Sequence, residues 1–196
     1  MPAKKGERKH QILQALAKML GNPHRVKITT ASLAENINVT ESALYRHFAS
    51  KAQIYEGLID FIEQTLFTLI NQLTAEEKRG IKQVEGILLL LMSFAHKNPG
   101  MTRILIGDAL VNENERLQLR INQLHDRLEV SLKQALRFAV TEKTVRHQLD
   151  ITAYANLLMC YVTGCWHQYV KSGFRRDPLE NWETQRQILL PRFFIA

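Results

Sequence analysis

Cysteine is scarce in this chain: two in 196 residues, too few for the framework of a disulfide-stapled secreted domain. Cys160 and Cys165 do not have the C-x-x-C spacing of a redox or zinc site. Both lie in an apolar run, so two buried free thiols in a reducing compartment are expected. Proline and glycine are also sparse, at five and nine, and no tract is of low complexity. With 45% apolar and 23% charged residues, the composition is that of an ordered globular chain rather than a disordered one. No apolar segment follows the charged start, so no signal peptide is expected. The longest near-continuous apolar run, Ile87 to Ala95, is about half of what a membrane span needs.

Enzyme signatures are missing too. There is no P-loop, no G-x-G-x-x-G, no G-x-S-x-G and no H-E-x-x-H. His96, His125, His147 and His167 are scattered without metal-ligand spacing. The expectation is a soluble cytoplasmic protein that is not an enzyme and carries neither metal nor cofactor.

What the sequence does have is positive charge, unevenly placed. The net charge is +7. Through Lys51 there are nine Lys and Arg against three Glu, whereas the remaining residues carry 17 basic against 16 acidic side chains. A basic N-terminal quarter is the electrostatic footprint of a small module that meets a polyanion.

Apolar spacing predicts an all-α chain of about nine helices. Ile12, Leu13, Leu16, Met19 and Leu20 form the stripe of a first helix, which ends near Gly21-Asn22-Pro23. Thr30 is expected to cap a short second helix and Thr40 a third. Ser50 to Gln53 reads as a capping box opening a long helix to about Leu73, and Thr74 to Glu77 as another opening a helix to Lys97. A short helix follows around Thr102 to Leu110, then long ones at about Glu113 to Ala139 and His147 to Val170. Asp177-Pro178-Leu179-Glu180 is read as the start of the last. Residues 1–50 are expected to form a helix-turn-helix module, and 51–196 a helical regulatory and dimerisation domain.

The second and third helices, joined at Asn36 to Val39, have the spacing of a helix-turn-helix, with Leu33, Ala34, Ile37, Val39, Leu44 and Phe48 in its corner. The turn needs a residue that tolerates left-handed backbone, and Asn38 suits it best. The third helix would enter a major groove with Thr40, Glu41, Ser42 and Ala43 toward base edges. Tyr45, Arg46 and His47 would face outward to phosphates, joined by Lys51 at the start of the next helix.

The stretch ITTASLAENINVTESALYRHFASK resembles the DNA-binding segment of the TetR family of bacterial regulators. It departs from that pattern at the turn, where Ile37-Asn38-Val39 stands in place of Ala-Gly-Val. The resemblance implies phosphate contacts at Tyr45, His47 and Lys51, and Thr30, at a helix N-terminus, is a further candidate. Asn98 to Glu129 is similar to members of that family that act in nucleoid occlusion, and the similarity spans residues 10–135. Those members bind chromosomal DNA sites and, when bound, antagonise the division protein FtsZ. The resemblance implies a partner surface at Phe61, Leu90, Lys97 and Asn98, although Leu69 replaces a basic residue there and Ser93 a glycine.

A helix-turn-helix regulator reads a palindromic duplex as a homodimer. The interface is expected in the last two helices: Tyr154, Leu158, Tyr161 and Cys165 in one stripe, small residues Ala153, Cys160 and Gly164, and Trp182, Ile188, Leu189 and Phe193. The alternative is a ligand-responsive TetR-type repressor, which would carry a large apolar cavity among its C-terminal helices.

Overall fold

The structure, a computed structural model, describes residues 5–24, 27–111, 113–142 and 150–190. Among these there are nine α-helices, one 3₁₀ turn and no strand. They are α1 (Lys5–Leu20), α2 (Thr30–Asn36), α3 (Glu41–Tyr45), α4 (Lys51–Glu76), α5 (Gly80–Lys97), α6 (Pro99–Leu105), α7 (Glu115–Thr141), α8 (Ile151–Lys171) and α9 (Trp182–Leu189). The 3₁₀ turn is Asp108–Leu110. The chain packs as two compact units: Met1–Glu63 with Asn98–Ile121, and Gln64–Lys97 with Asn122–Ala196. A module boundary at residue 50 is a division by function, and stays a proposal alongside these packing units.

In the first unit α1 buries Ile12, Ala15, Leu16 and Leu20. It lies tightly on α6, because Gly100 brings backbone against backbone. A Cβ on Gly100 would collide with the Ala17 carbonyl oxygen and stand 2.7 Å from the Gly21 nitrogen. Arg103 of α6 is 6% exposed. Its Nη1 donates to the Asn22 carbonyl at 3.1 Å and its Nε faces Asp108 at 3.5 Å, so the buried cation is met by both a carbonyl and a carboxylate. Arg120 reaches Asp60 and Glu63 at 2.7 and 3.0 Å, tying the start of α7 to α4.

The second unit is built around α5. Ile87, Leu88, Leu91, Met92 and Ala95 are fully covered, as are Leu128, Leu132 and Ala139 of α7 and Leu158, Val162 and Trp166 of α8. The Trp166 indole N–H donates to the Leu91 carbonyl at 3.2 Å, which satisfies its polar edge inside the core. Leu89 and Leu90 are left on the less covered side of α5.

The expected helix order holds, and several boundaries move. Helix α4 continues through Thr74 to Glu76 instead of stopping at Leu73. The break falls at residues 77–79, where the Gln83 amide donates to the carbonyls of Thr74 and Glu77 at 3.1 and 2.8 Å. The Gly80 N–H is taken by Glu142 at 2.6 Å. Contacts distant in sequence therefore end α4 and start α5, and the Thr74 capping box does not form. Thr29, rather than Thr30, caps α2, exchanging hydrogen bonds with Ser32. The expected helix near 102–110 splits into α6 and the 3₁₀ turn. Asp177 accepts from the Leu179 N–H at 2.9 Å and caps only a turn, so α9 starts later, at Trp182. The start expected for α8, at His147, lies outside the described residues.

Candidate nucleic-acid interface

Helices α2 and α3 form the expected pair, and the turn between them shows why Asn38 is where it is. Asn38 has φ 54°, in the left-handed region. Its N–H donates to the Glu35 carbonyl at 3.0 Å, and the Val39 N–H to the Ala34 carbonyl at 3.0 Å. These two bonds close the end of α2 in a Schellman motif, which asks for glycine or asparagine at this position. The chain then reverses to Thr40, whose hydroxyl accepts from the Ala43 N–H at 3.3 Å and caps α3.

Helix α3 is only five residues long, and its faces are sharply divided. Leu44 is 1% exposed and Phe48 7%, anchoring the helix to its unit. Thr40, Glu41, Ser42, Tyr45 and Arg46 are exposed, and Ala43 is half-buried. Arg46 is the C-cap, and His47 follows in the turn. His47 is half-buried, and its Nδ1 is inside without a hydrogen-bond partner among the described residues.

Three of the proposed contact residues already have partners. The Thr30 hydroxyl donates to Glu41 Oε2 at 2.6 Å, so these two side chains bridge α2 and α3. Lys51, at the start of α4, pairs with Glu113, and its ammonium lies 5.5 Å from the centre of the Tyr55 ring. Burial and then the nearby Glu113 carboxylate push the Tyr55 phenol well above its ordinary pKa. Thr29 and Glu113 are the participants that sequence reasoning missed. The tandem Thr29-Thr30 leaves the capping residue ambiguous, and Glu113 lies 62 positions from Lys51 with no local signal joining them.

The proposed partner residues fall in both units. In the first, Phe61 is half-buried with the His10 ring edge-on at 5.8 Å. Asn98, also half-buried, precedes α6, and its carbonyl accepts from the Thr102 hydroxyl at 2.9 Å. In the second, Lys97 is exposed at the end of α5. Leu90 is half-buried and lines an open groove of about 530 Å³ between α4 and α5, with Leu69, Gln72, Leu73, Glu76 and Glu77. Leu69 is 41% exposed.

The expected dimer face is redistributed. Leu158 is buried within the protomer, the Tyr154 hydroxyl donates to the Leu189 carbonyl, and the Tyr161 hydroxyl to Gln185 Oε1 at 2.9 Å. Trp182 is buried as well. Those stripes hold α9 against α8. The face of α8 that remains open carries Ala153, Leu157, Cys160 and Gly164, with Ile188 of α9 exposed too. Cys160 is therefore exposed and Cys165 half-buried, where two buried thiols were expected; burial raises the Cys165 pKa. Phe193 lies outside the described residues.

Comparison with known proteins decides the family. Residues 27–58 match the model described as bacterial regulatory proteins, tetR family, and residues 78–193 the model for a SlmA-like, tetracyclin repressor-like C-terminal domain. The nucleoid occlusion factor SlmA of Marinomonas sp. (strain MWYL1) is 47% identical over 189 residues, covering 96% of each chain. That of Alteromonas mediterranea is 50% identical over 186 residues, covering 94% of this chain and 95% of its own.

The chain belongs to the SlmA branch of the TetR family.

The kinship runs well past residue 135, where the sequence resemblance stopped. Solved structures show the shared fold at far lower identity. A TetR regulator from Haloarcula marismortui superposes with a TM-score of 0.78 at 17% identity, over 95% of this chain and 96% of its own. FadR of Bacillus subtilis, solved with stearoyl-CoA, superposes with 0.76 at 13%, over 93% and 98%. Among the described residues no helix is long and apolar enough to cross a membrane.

Proposed function

We propose that this chain is a nucleoid occlusion factor: a cytoplasmic, nucleoid-associated homodimer that binds palindromic duplex DNA and, when bound, antagonises FtsZ assembly over the chromosome. The observation that carries this is identity near one half with SlmA proteins across almost the whole chain. Thr40, Glu41, Ser42 and Ala43 read base edges. Tyr45, Arg46, His47 and Lys51 hold phosphates, while Thr30 serves through its bond to Glu41. The open α8 face with Ile188 pairs two protomers, since a single module of this size reads only a half-site.

Phe61, Leu90, Lys97 and Asn98 are the partner residues. The groove beside Leu90 is apolar at Leu69 and Leu73 and acidic at Glu76 and Glu77, with the Lys97 charge on the same helix as Leu90. Those features suit a short peptide that buries apolar side chains and carries charges of both signs. The competing repressor mechanism needs a ligand cavity in the second unit. Trp166, Leu91 and Val162 are fully covered, and a cavity of about 390 Å³ in this unit is open and lined by polar Asn71, Gln83 and Gln134 beside Ile70 and Phe138, which favours recognition at the surface instead.

Lys97→Glu is the test. The variant is expected to bind duplex DNA as the wild type does and to lose about tenfold or more in FtsZ affinity, the scale of reversing one charge at an interface. Fluorescence anisotropy with labelled duplex and with labelled FtsZ reads the two separately. Undiminished FtsZ affinity would remove Lys97 from the surface.

A further inference from the structure

We infer that Glu113 is a built-in competitor for DNA phosphate at Lys51, and so sets how tightly this protein grips DNA of any sequence. The inference rests on Lys51 being a phosphate contact, as proposed above.

Lys51 opens α4 directly after the recognition segment. The Ser50 hydroxyl accepts from the Gln53 N–H at 3.2 Å, and the Gln53 side chain accepts from the Ala49 N–H at 2.8 Å, so the backbone here is well ordered around a helix start. A phosphate at this position would be held by the Lys51 ammonium and by the positive end of the helix. In the DNA-free protein a carboxylate already takes that ammonium.

The geometry makes the pair an exchangeable one. The Lys51 side chain is 30% exposed, enough for a phosphate to reach its ammonium, whereas Glu113 is 18% exposed. The two border one cavity with Lys27, Tyr55, Arg103 and Asp108. Arg103 faces Asp108 there, so one of the cavity's two other cations has its own carboxylate, while Lys27 is exposed. The Tyr55 ring centre lies 5.5 Å from the Lys51 ammonium. When phosphate takes Lys51, Glu113 gives up its ion pair and is left as a partly buried anion near the DNA backbone. That cost is subtracted from every DNA complex the protein forms, whatever the sequence. The exchange also lowers the net release of counterions by about one relative to a free lysine.

The experiment measures affinity and its salt dependence on a mixed-sequence duplex, for wild type, Glu113→Gln, Lys51→Ala and the double variant of the full chain. Glu113→Gln is expected to bind about tenfold more tightly, with a log–log salt slope steeper by roughly 0.9. In the Lys51→Ala background the same change is expected to have little effect. Glu113→Ala is measured alongside, with melting curves, to separate charge from fold. Unchanged or weaker binding by both Glu113 variants would overturn the inference, as would an equal gain with and without Lys51, which marks general repulsion. Wild-type affinity for Lys51→Ala would overturn the phosphate contact itself, a distinct failure.

Discussion

Replacing Tyr45 and Arg46 together with alanine is expected to weaken binding to every duplex by roughly a hundredfold, at about 1.5 kcal/mol per hydrogen bond to a charged phosphate. Both side chains are exposed at the end of α3, directly beside the buried Leu44 that fixes the helix. Neither side chain has a hydrogen bond or ion pair among the described residues, and Tyr45 is 48% exposed, so the melting temperature is expected to stay within a degree or two of the wild type. The salt slope falls by about one, because one of the pair is a cation and the other a neutral phenol. Preference among sequences is expected to persist, since Thr40 to Ala43 are untouched. A titration series at several salt concentrations reads all three quantities. A double variant that kept normal affinity would show that α3 docks in another orientation.

The second large effect is on stability. Gly100→Ala is expected to cost about 3 kcal/mol, at the upper end of overpacking, because the new methyl meets backbone that cannot rotate away. On a chain of this size that corresponds to a fall in melting temperature of roughly 10 °C. Helix α1 carries Ile12 and Leu16 into the unit that also buries Leu44. Displacing α1 from α6 should therefore weaken DNA binding too, through α3 rather than through any lost contact. Thermal unfolding by circular dichroism checks the first claim. Gly6→Ala is the control, since no heavy atom lies within 4 Å of a Cβ at that position. A Gly100→Ala protein as stable as wild type would mean that α1 and α6 can slide apart at little cost.

The pattern of what was legible follows the range of the interactions. Asn38 could be assigned its left-handed turn because the requirement is local: two helices, a short connection, and a residue whose side chain tolerates φ 54°. Thr40 could be read as a cap for the same reason. The corner residues Leu33, Ala34, Leu44 and Phe48 are buried as their spacing predicts. Failures occur where a distant residue decides. Thr74-Ala75-Glu76-Glu77 has the composition of a helix start, yet Gln83 and Glu142 place the break just beyond it. Helix α8 is apolar or small on two faces, so periodicity alone could not tell that Leu158 turns inward and Leu157 outward. Lys51 had the right chemistry for a phosphate, but its carboxylate partner arrives from the bend just ahead of α7.

The chromosome itself provides the most direct test of nucleoid occlusion. Footprinting of this protein across its own genome is expected to reveal many dispersed palindromic sites, sparse around the replication terminus where division must be allowed. A single occupied palindrome beside its own gene, with the rest of the chromosome bare, would contradict that account and mark the protein as a local repressor.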